Sequence, residues 1–125
     1  MKNRNFSFFD RFKSSKYAWN GLKILIKEEH NAWIHLAGLS GAVLFSFYFR
    51  LTPLEWVAIL LTVGNVFAFE LINTSIENVA DFISPDRHDQ IKKIKDLSAG
   101  AVLVSVIIAI LVGLIIFLPK FSTIF

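Results

Sequence analysis

The sequence predicts an all-α membrane protein: an amphipathic N-terminal surface helix followed by three transmembrane helices. Three observations carry that expectation. Of 125 residues, 54% are hydrophobic and the mean hydropathy is +0.56, well above a water-soluble domain of this length. A core built from so short a chain cannot hide that much apolar surface from water. The apolar residues also fall in three runs of near-spanning length, and the basic residues collect ahead of the first run and between the second and third. The length suits a single domain, read as residues 1–125 with an interfacial helix over 1–31 and spans over 32–49, 54–77 and 97–118. There are no cysteines, which removes a disulfide framework, a zinc–thiolate site and a thiol nucleophile. No signal peptide is expected, because the first strongly apolar run begins only near Ala32 and no small-residue cleavage site precedes it.

In the N-terminal segment, Phe6, Phe8, Phe9, Phe12 and Trp19 alternate with basic residues, as in a helix lying on an anionic membrane surface. From Lys16 onward the faces separate. Lys16, Lys23 and Lys27 fall within about 40° of one another at 100° per residue, while Ala18, Leu22, Leu25 and Glu29 lie opposite. Glu29 is therefore a carboxylate on an apolar face. The first span, Ala32 to Phe49, contains His35. Arg50-Leu51-Thr52-Pro53 reads as a tight turn, with Pro53 the first residue of the next helix. The second span has only 14 uncharged residues between Glu55 and Glu70, short of the roughly 20 a crossing needs. One or both carboxylates must then lie at membrane depth or at the interface. Ser84-Pro85-Asp86 reads as an N-cap, a proline at the first helical position and an acid in the first turn, so the third helix is expected to start near Pro85. Leu97 to Leu118 is a run of 22 uncharged residues. Residues 1–31 carry seven Lys and Arg and residues 84–96 carry four, against Arg50 and Lys120 on the other side. That asymmetry predicts a cytoplasmic N-terminus and second connection.

The stretch FAFELINTSIENVADFIS plants acids in an apolar helix. Glu70, Glu77 and Asp81 return to one azimuth within about 20°, with Asn73 about 60° away. Each charge at membrane depth costs roughly 2.5 kcal/mol or more, so the row needs partners or a use. Glu77 and Asp81 could be interfacial acids paired with Lys92, Lys93 or Lys95, and Glu70 a buried protonated or paired acid. Alternatively, two carboxylates suit magnesium, which keeps waters and phosphate oxygens as further ligands, and a third in an apolar setting suits a general base. DRHDQIKKIKD places Arg87, His88, Lys92, Lys93 and Lys95 beneath the row, where they fit a polyphosphate; the topology rule alone explains many of them. The chain has no GxxxxGKS loop and no glycine-rich kinase loop. Any nucleotide must be held by side chains at the membrane surface.

ELINTSIENVAD, followed after a short connection by KDLSAGAVLV, resembles the small prokaryotic diacylglycerol kinases, including their undecaprenol kinase branch. YAWNGLK near the start and a glutamate before the first span extend the likeness along nearly the whole chain. The resemblance implies an integral lipid kinase of the bacterial inner membrane: a homotrimer of three-span protomers with active sites shared between neighbours, using ATP and Mg2+ to phosphorylate a membrane lipid alcohol. It implies Glu70 as the catalytic base, Glu29 and Glu77 as magnesium ligands that also meet the nucleotide, and Asn73 as a residue orienting that centre. Tyr17, Asp86, Arg87, His88, Lys95 and Asp96 match nucleotide-contacting positions. Trp19 and Ala99 join Glu70 and Asn73 on the lipid-substrate side. Members often carry an arginine about seven residues before the tyrosine; that position is Asp10 here, and the arginine is Arg11. ExNxxIH, from Glu29 to His35, and the closing FLPKF look more like the Gram-positive undecaprenol kinases. The resemblance thus points to undecaprenol ahead of diacylglycerol.

Other readings of the same residues are a proton or cation channel or transporter subunit using Glu70 and Glu77, and a non-enzymatic membrane scaffold. His35 is either a lipid-headgroup contact or a satisfied polar residue inside the bundle. His30 reads as interfacial, and Trp33, Trp56 and Tyr48 as interface anchors. Ala101, Ser105, Ala109 and Gly113, spaced by four, predict a seam of close helix packing.

Overall fold

A computed structural model describes residues 6–86 and 88–124 of the chain. They form four helices, α1 (Phe8–Glu28), α2 (His30–Tyr48), α3 (Pro53–Ile83) and α4 (Asp89–Ser122), and no strand among the described residues. At 1.5 Å per residue α3 runs about 46 Å and α4 about 51 Å, well past the roughly 30 Å of a hydrocarbon core. Both are long and apolar enough to cross a membrane. Helix α2, with 19 residues, is about 28 Å long.

The environment these helices require is legible in what they leave uncovered. Along α4, Leu103, Ile110, Leu114 and Ile115 each keep half or more of their surface open. At roughly 25 cal/mol per Å² of apolar area, such a surface is unstable in water and stable in lipid or against another chain. The protein is an all-α membrane protein.

Local chemistry sets the turns. Thr52 caps α3: its hydroxyl accepts from Glu55 N–H at 3.2 Å, and Glu55 Oε1 accepts from Thr52 N–H at 3.0 Å. Pro53 follows as the first helical residue, as the sequence predicts. Lys120 of α4 lies 3.1 Å from Glu55 Oε2, so the acid that shortens the second apolar run is fully engaged at the helix end. Helix α2 ends in a Schellman turn. Leu51 N–H bonds to Ser46 O at 3.2 Å and Arg50 N–H to Phe47 O at 3.3 Å, with Arg50 in the left-handed region at φ 52°. Leu51, delivered inward by that turn, packs with Ile59 and Ile116 as the buried centre of this end. Phe49 meets Phe121 of α4, ring centroids 4.9 Å apart.

The start of α4 differs from the expectation. Ser84 closes α3, its N–H bonded to Ala80 O, with extended backbone (φ −143°, ψ 90°). A residue before proline is pushed out of the helical region, and here Ser84-Pro85 ends a helix instead of opening one. The N-cap of α4 is His88, whose Nδ1 accepts from Gln90 N–H at 3.1 Å. Arg87 lies outside the described residues.

Helices α3 and α4 form the main packed pair, with α2 against α3, and α1 folds back on both α2 and α3. Of the small-residue row, Ser105 is buried, and Ala101 and Ser105 border a crevice with Thr62 and Phe69 of α3. A Cβ at Gly113 would meet nothing within 4 Å, so the close packing expected there is not made among the described residues of the chain. Glu29 breaks α1 from α2 in an extended conformation (φ −108°, ψ 107°). It therefore stands at a joint, not on the continuous helical face the spacing suggests. Leu25 and Ala32, 1% and 0% exposed, hold that joint closed, and Trp33 Nε1 donates to Ile26 O at 2.9 Å across it. The aromatic anchors of α1, among them Phe8, Phe12 and Trp19, are open. Leu25→Ala should destabilise the protein by about 2–5 kcal/mol, read as a lowered unfolding midpoint in detergent; a loss below about 0.5 kcal/mol would show that α1 is not pinned there.

Candidate active site

From Pro53, Glu70 is 17 residues along α3, about 26 Å. It therefore lies near the far boundary of the apolar region, and Glu77 and Asp81 lie beyond it. Glu70 is 2% exposed, and Asn73 and Thr74 beside it are buried at 7% and 8%. A carboxylate this enclosed must be satisfied or neutralised. His35 Nδ1 of α2 lies 2.7 Å from Glu70 Oε1. Among the described residues neither atom has a hydrogen-bond partner besides this contact, and a proton carried by the imidazole would let Nδ1 donate to the carboxylate.

The joint at Glu29 faces the same stretch of α3. Thr74 Oγ1 donates to Glu29 Oε2 at 3.4 Å, across 45 residues of sequence. One turn after Asn73, Asn73 Nδ2 donates to Glu77 Oε1 at 3.4 Å. Glu29 and Glu77 are the two carboxylates whose charge Glu70 feels most. Glu29, from the α1–α2 joint, and Glu77, from α3, are thus tied to Thr74 and Asn73, the two buried polar residues that follow Glu70 on α3. Asn73 Oδ1 remains buried without a partner, an oxygen acceptor unused inside the group. Among the described residues no three acid or imidazole side chains close on one point as a ready-made metal cluster.

The remaining sequence candidates divide. Lys95 is paired with Asp81, which for Asp81 realises the interfacial-pairing reading; Glu77 instead bonds within α3. Asp96 pairs with Lys92 at 2.6 Å. Asp86 and His88 sit in the α3–α4 connection, exposed, with the His88 ring occupied as a helix cap. Tyr17 and Trp19 stand on α1, 74% and 63% exposed, Tyr17 about 18 Å from Glu29 along the helix axis. Ala99 is exposed on α4, next to Ser98, whose buried hydroxyl is unpartnered. No hydrogen bond or ion pair among the described residues ties Tyr17, Trp19, Asp86 or Ala99 to the Glu70 group. Arg11 meets the Phe6 ring, 5.5 Å from its centroid. Thr74 is the contact that sequence reasoning misses, although it stands inside the quoted motif. A hydroxyl one residue after Asn73 carries no signal until α1 folds back beside it. Because Lys95 and Asp81 are partly solvated, 36% and 62% exposed, Asp81→Asn should change stability by under about 1 kcal/mol in thermal unfolding. A larger loss would make that pair a structural lock.

A model of the family described as prokaryotic diacylglycerol kinase matches residues 16–117. The chain is 38% identical to an undecaprenol kinase of Bacillus subtilis over 109 residues, covering 87% of this chain and 89% of that one. It is 32% identical to a diacylglycerol kinase of Haemophilus influenzae over 106 residues, covering 83% and 89%. To a diacylglycerol kinase of Escherichia coli it is 27% identical over 129 aligned positions, covering 98% and 100%.

Proposed function

The chain belongs to the prokaryotic diacylglycerol kinase family, and from that premise we propose how this lipid kinase performs its reaction and on which lipid. The acceptor is the hydroxyl of a membrane lipid alcohol. Undecaprenol is favoured over diacylglycerol, supported by the higher identity to the undecaprenol kinase and by ExNxxIH and FLPKF. ATP is the phosphoryl donor. The assembly is a multi-pass homotrimer of the bacterial inner membrane with three spans per protomer and the N-terminus cytoplasmic. In support, α2 is close to the hydrocarbon thickness and much apolar surface on α4 is left for neighbours or lipid.

The observation that carries the mechanism is the burial of Glu70 at the edge of the apolar region with Glu29 and Glu77 beside it. The lipid hydroxyl approaches from the bilayer, where Glu70 accepts its proton as the oxygen attacks the γ-phosphorus; the phosphorus–oxygen bond to ADP breaks. Glu29 and Glu77 are hard oxygen donors that fit Mg2+, with two carboxylates leaving positions for phosphate oxygens and water. Bound there, the ion would neutralise charge on the polyphosphate. Asn73, bonded to Glu77, fixes that carboxylate's direction and offers its free Oδ1. Lys95, Asp96, Tyr17, Asp86, Arg87 and His88 are proposed nucleotide contacts; Lys95 would exchange Asp81 for phosphate. Trp19 and Ala99 are proposed to contact the lipid. Catalysis is mostly positioning and electrostatics, as in phosphoryl transfer generally.

The test is transfer of labelled γ-phosphate from ATP to undecaprenol and diacylglycerol offered side by side in detergent or bilayers. Undecaprenol should be the better acceptor. Glu70→Gln should keep the fold and lower turnover by about 10²–10⁴-fold or more; full turnover would remove Glu70 as the base. Glu29→Gln and Glu77→Gln should each raise the magnesium concentration needed for half-maximal rate. An unchanged magnesium requirement would move the metal elsewhere.

A further inference from the structure

We propose that His35 is a positioning residue for Glu70. Its Nδ1–H holds Oε1 of the carboxylate, so that Oε2 is the oxygen that takes the lipid proton. The inference rests on the assignment of Glu70 as the base and goes beyond it, because His35 lies on a different helix and outside the ELINTSIENVAD motif.

Three observations support it. The two atoms lie 2.7 Å apart, and among the described residues each is buried with no hydrogen-bond partner besides this contact. Among the described residues, the other charges that act on Glu70 are Glu29, from the α1–α2 joint, and Glu77, from α3 itself. Both repel a carboxylate, so His35 is the group that draws Glu70 to one place. His35 also lines an apolar cleft of about 300 Å³ between α2, α3 and α4, with Val66, Phe67 and Ile110 among its walls. That lining offers the ring no competing polar contact from neighbouring side chains other than Thr62, whose hydroxyl is already bonded to the carbonyls of Ala58 and Ile59. A glutamate without such a holder has three free torsions, and a misplacement near 1 Å costs about 100-fold in rate.

The geometry distinguishes two amide substitutions. In His35→Asn the side-chain nitrogen falls where Nδ1 stood and can still donate to Oε1. In His35→Gln the amide reaches to where Nε2 stood, away from Glu70. The experiment measures kcat and KM for ATP at saturating lipid for the wild type, His35→Asn, His35→Gln, His35→Leu, Glu70→Gln and the double variant His35→Leu/Glu70→Gln, with unfolding midpoints recorded for each. The expected pattern is a kcat about 100-fold lower in the Gln and Leu variants, with KM for ATP within about twofold. The Asn variant should stay within about tenfold of wild type, and Leu should cause no further loss on the Glu70→Gln background. Equal kcat for Asn and Gln, an active Leu variant, or a further loss in the double variant would each overturn the role of His35. If Glu70→Gln alone is fully active, the base assignment fails first, and that result is distinct from the others. Should His35→Leu fail to fold, the Asn and Gln comparison decides the matter, since both keep a polar side chain in the bundle.

Discussion

A carboxylate buried between helices has to be answered by its surroundings, and the contact between His35 and Glu70 is that answer here. Glu70 is placed inside by the length of α3, and α2 supplies the atom that makes the position tolerable. Without a partner the acid would carry a desolvation cost of several kcal/mol, enough to favour rotation of α3 or separation of α2. With it, α2 and α3 are held in a fixed register at the level where the other acids gather. The geometry of the candidate site and the packing of α2 on α3 therefore meet at the same contact.

At the opposite end of α3 the solution is of the same kind with different parts. Glu55 is answered locally by the Thr52 cap and across the bundle by Lys120. The Schellman turn at Arg50 drives Leu51 into the small core with Ile59 and Ile116. Both acids that interrupt the second apolar run are thus satisfied, each by a neighbouring helix, and this lets a run of only 14 uncharged residues sit inside a 31-residue helix.

The third acid, Glu29, depends on neither device. It is held at a break in the chain, between two buried small or aliphatic residues, and it reaches α3 through Thr74. The contact of α1 with both α2 and α3 is what brings Glu29 to the motif on α3. The price of that arrangement is an α1 whose aromatic residues remain uncovered by the chain itself, consistent with a helix that lies on a membrane.

Much of this was legible in the residues. Hydropathy, run length and the placement of lysines determine a helical membrane protein, because the bilayer accepts only backbone that is internally bonded. Thr52-Pro53 starts α3 by a local rule, and periodicity along one helix puts Glu70 and Glu77 on one side. The reading of Ser84-Pro85 as a helix start fails, because the same residues that can open a helix also close one, and α3 continues to Ile83 with Ser84 as its C-cap. Tertiary structure alone decided the pairing of His35 with Glu70, of Thr74 with Glu29 and of Lys95 with Asp81. These contacts join residues 14 to 45 positions apart, and spacing along a helix carries no information about which face of which neighbour will meet it. That depends on how the helices turn and cross, which is set by the packing of all of them together.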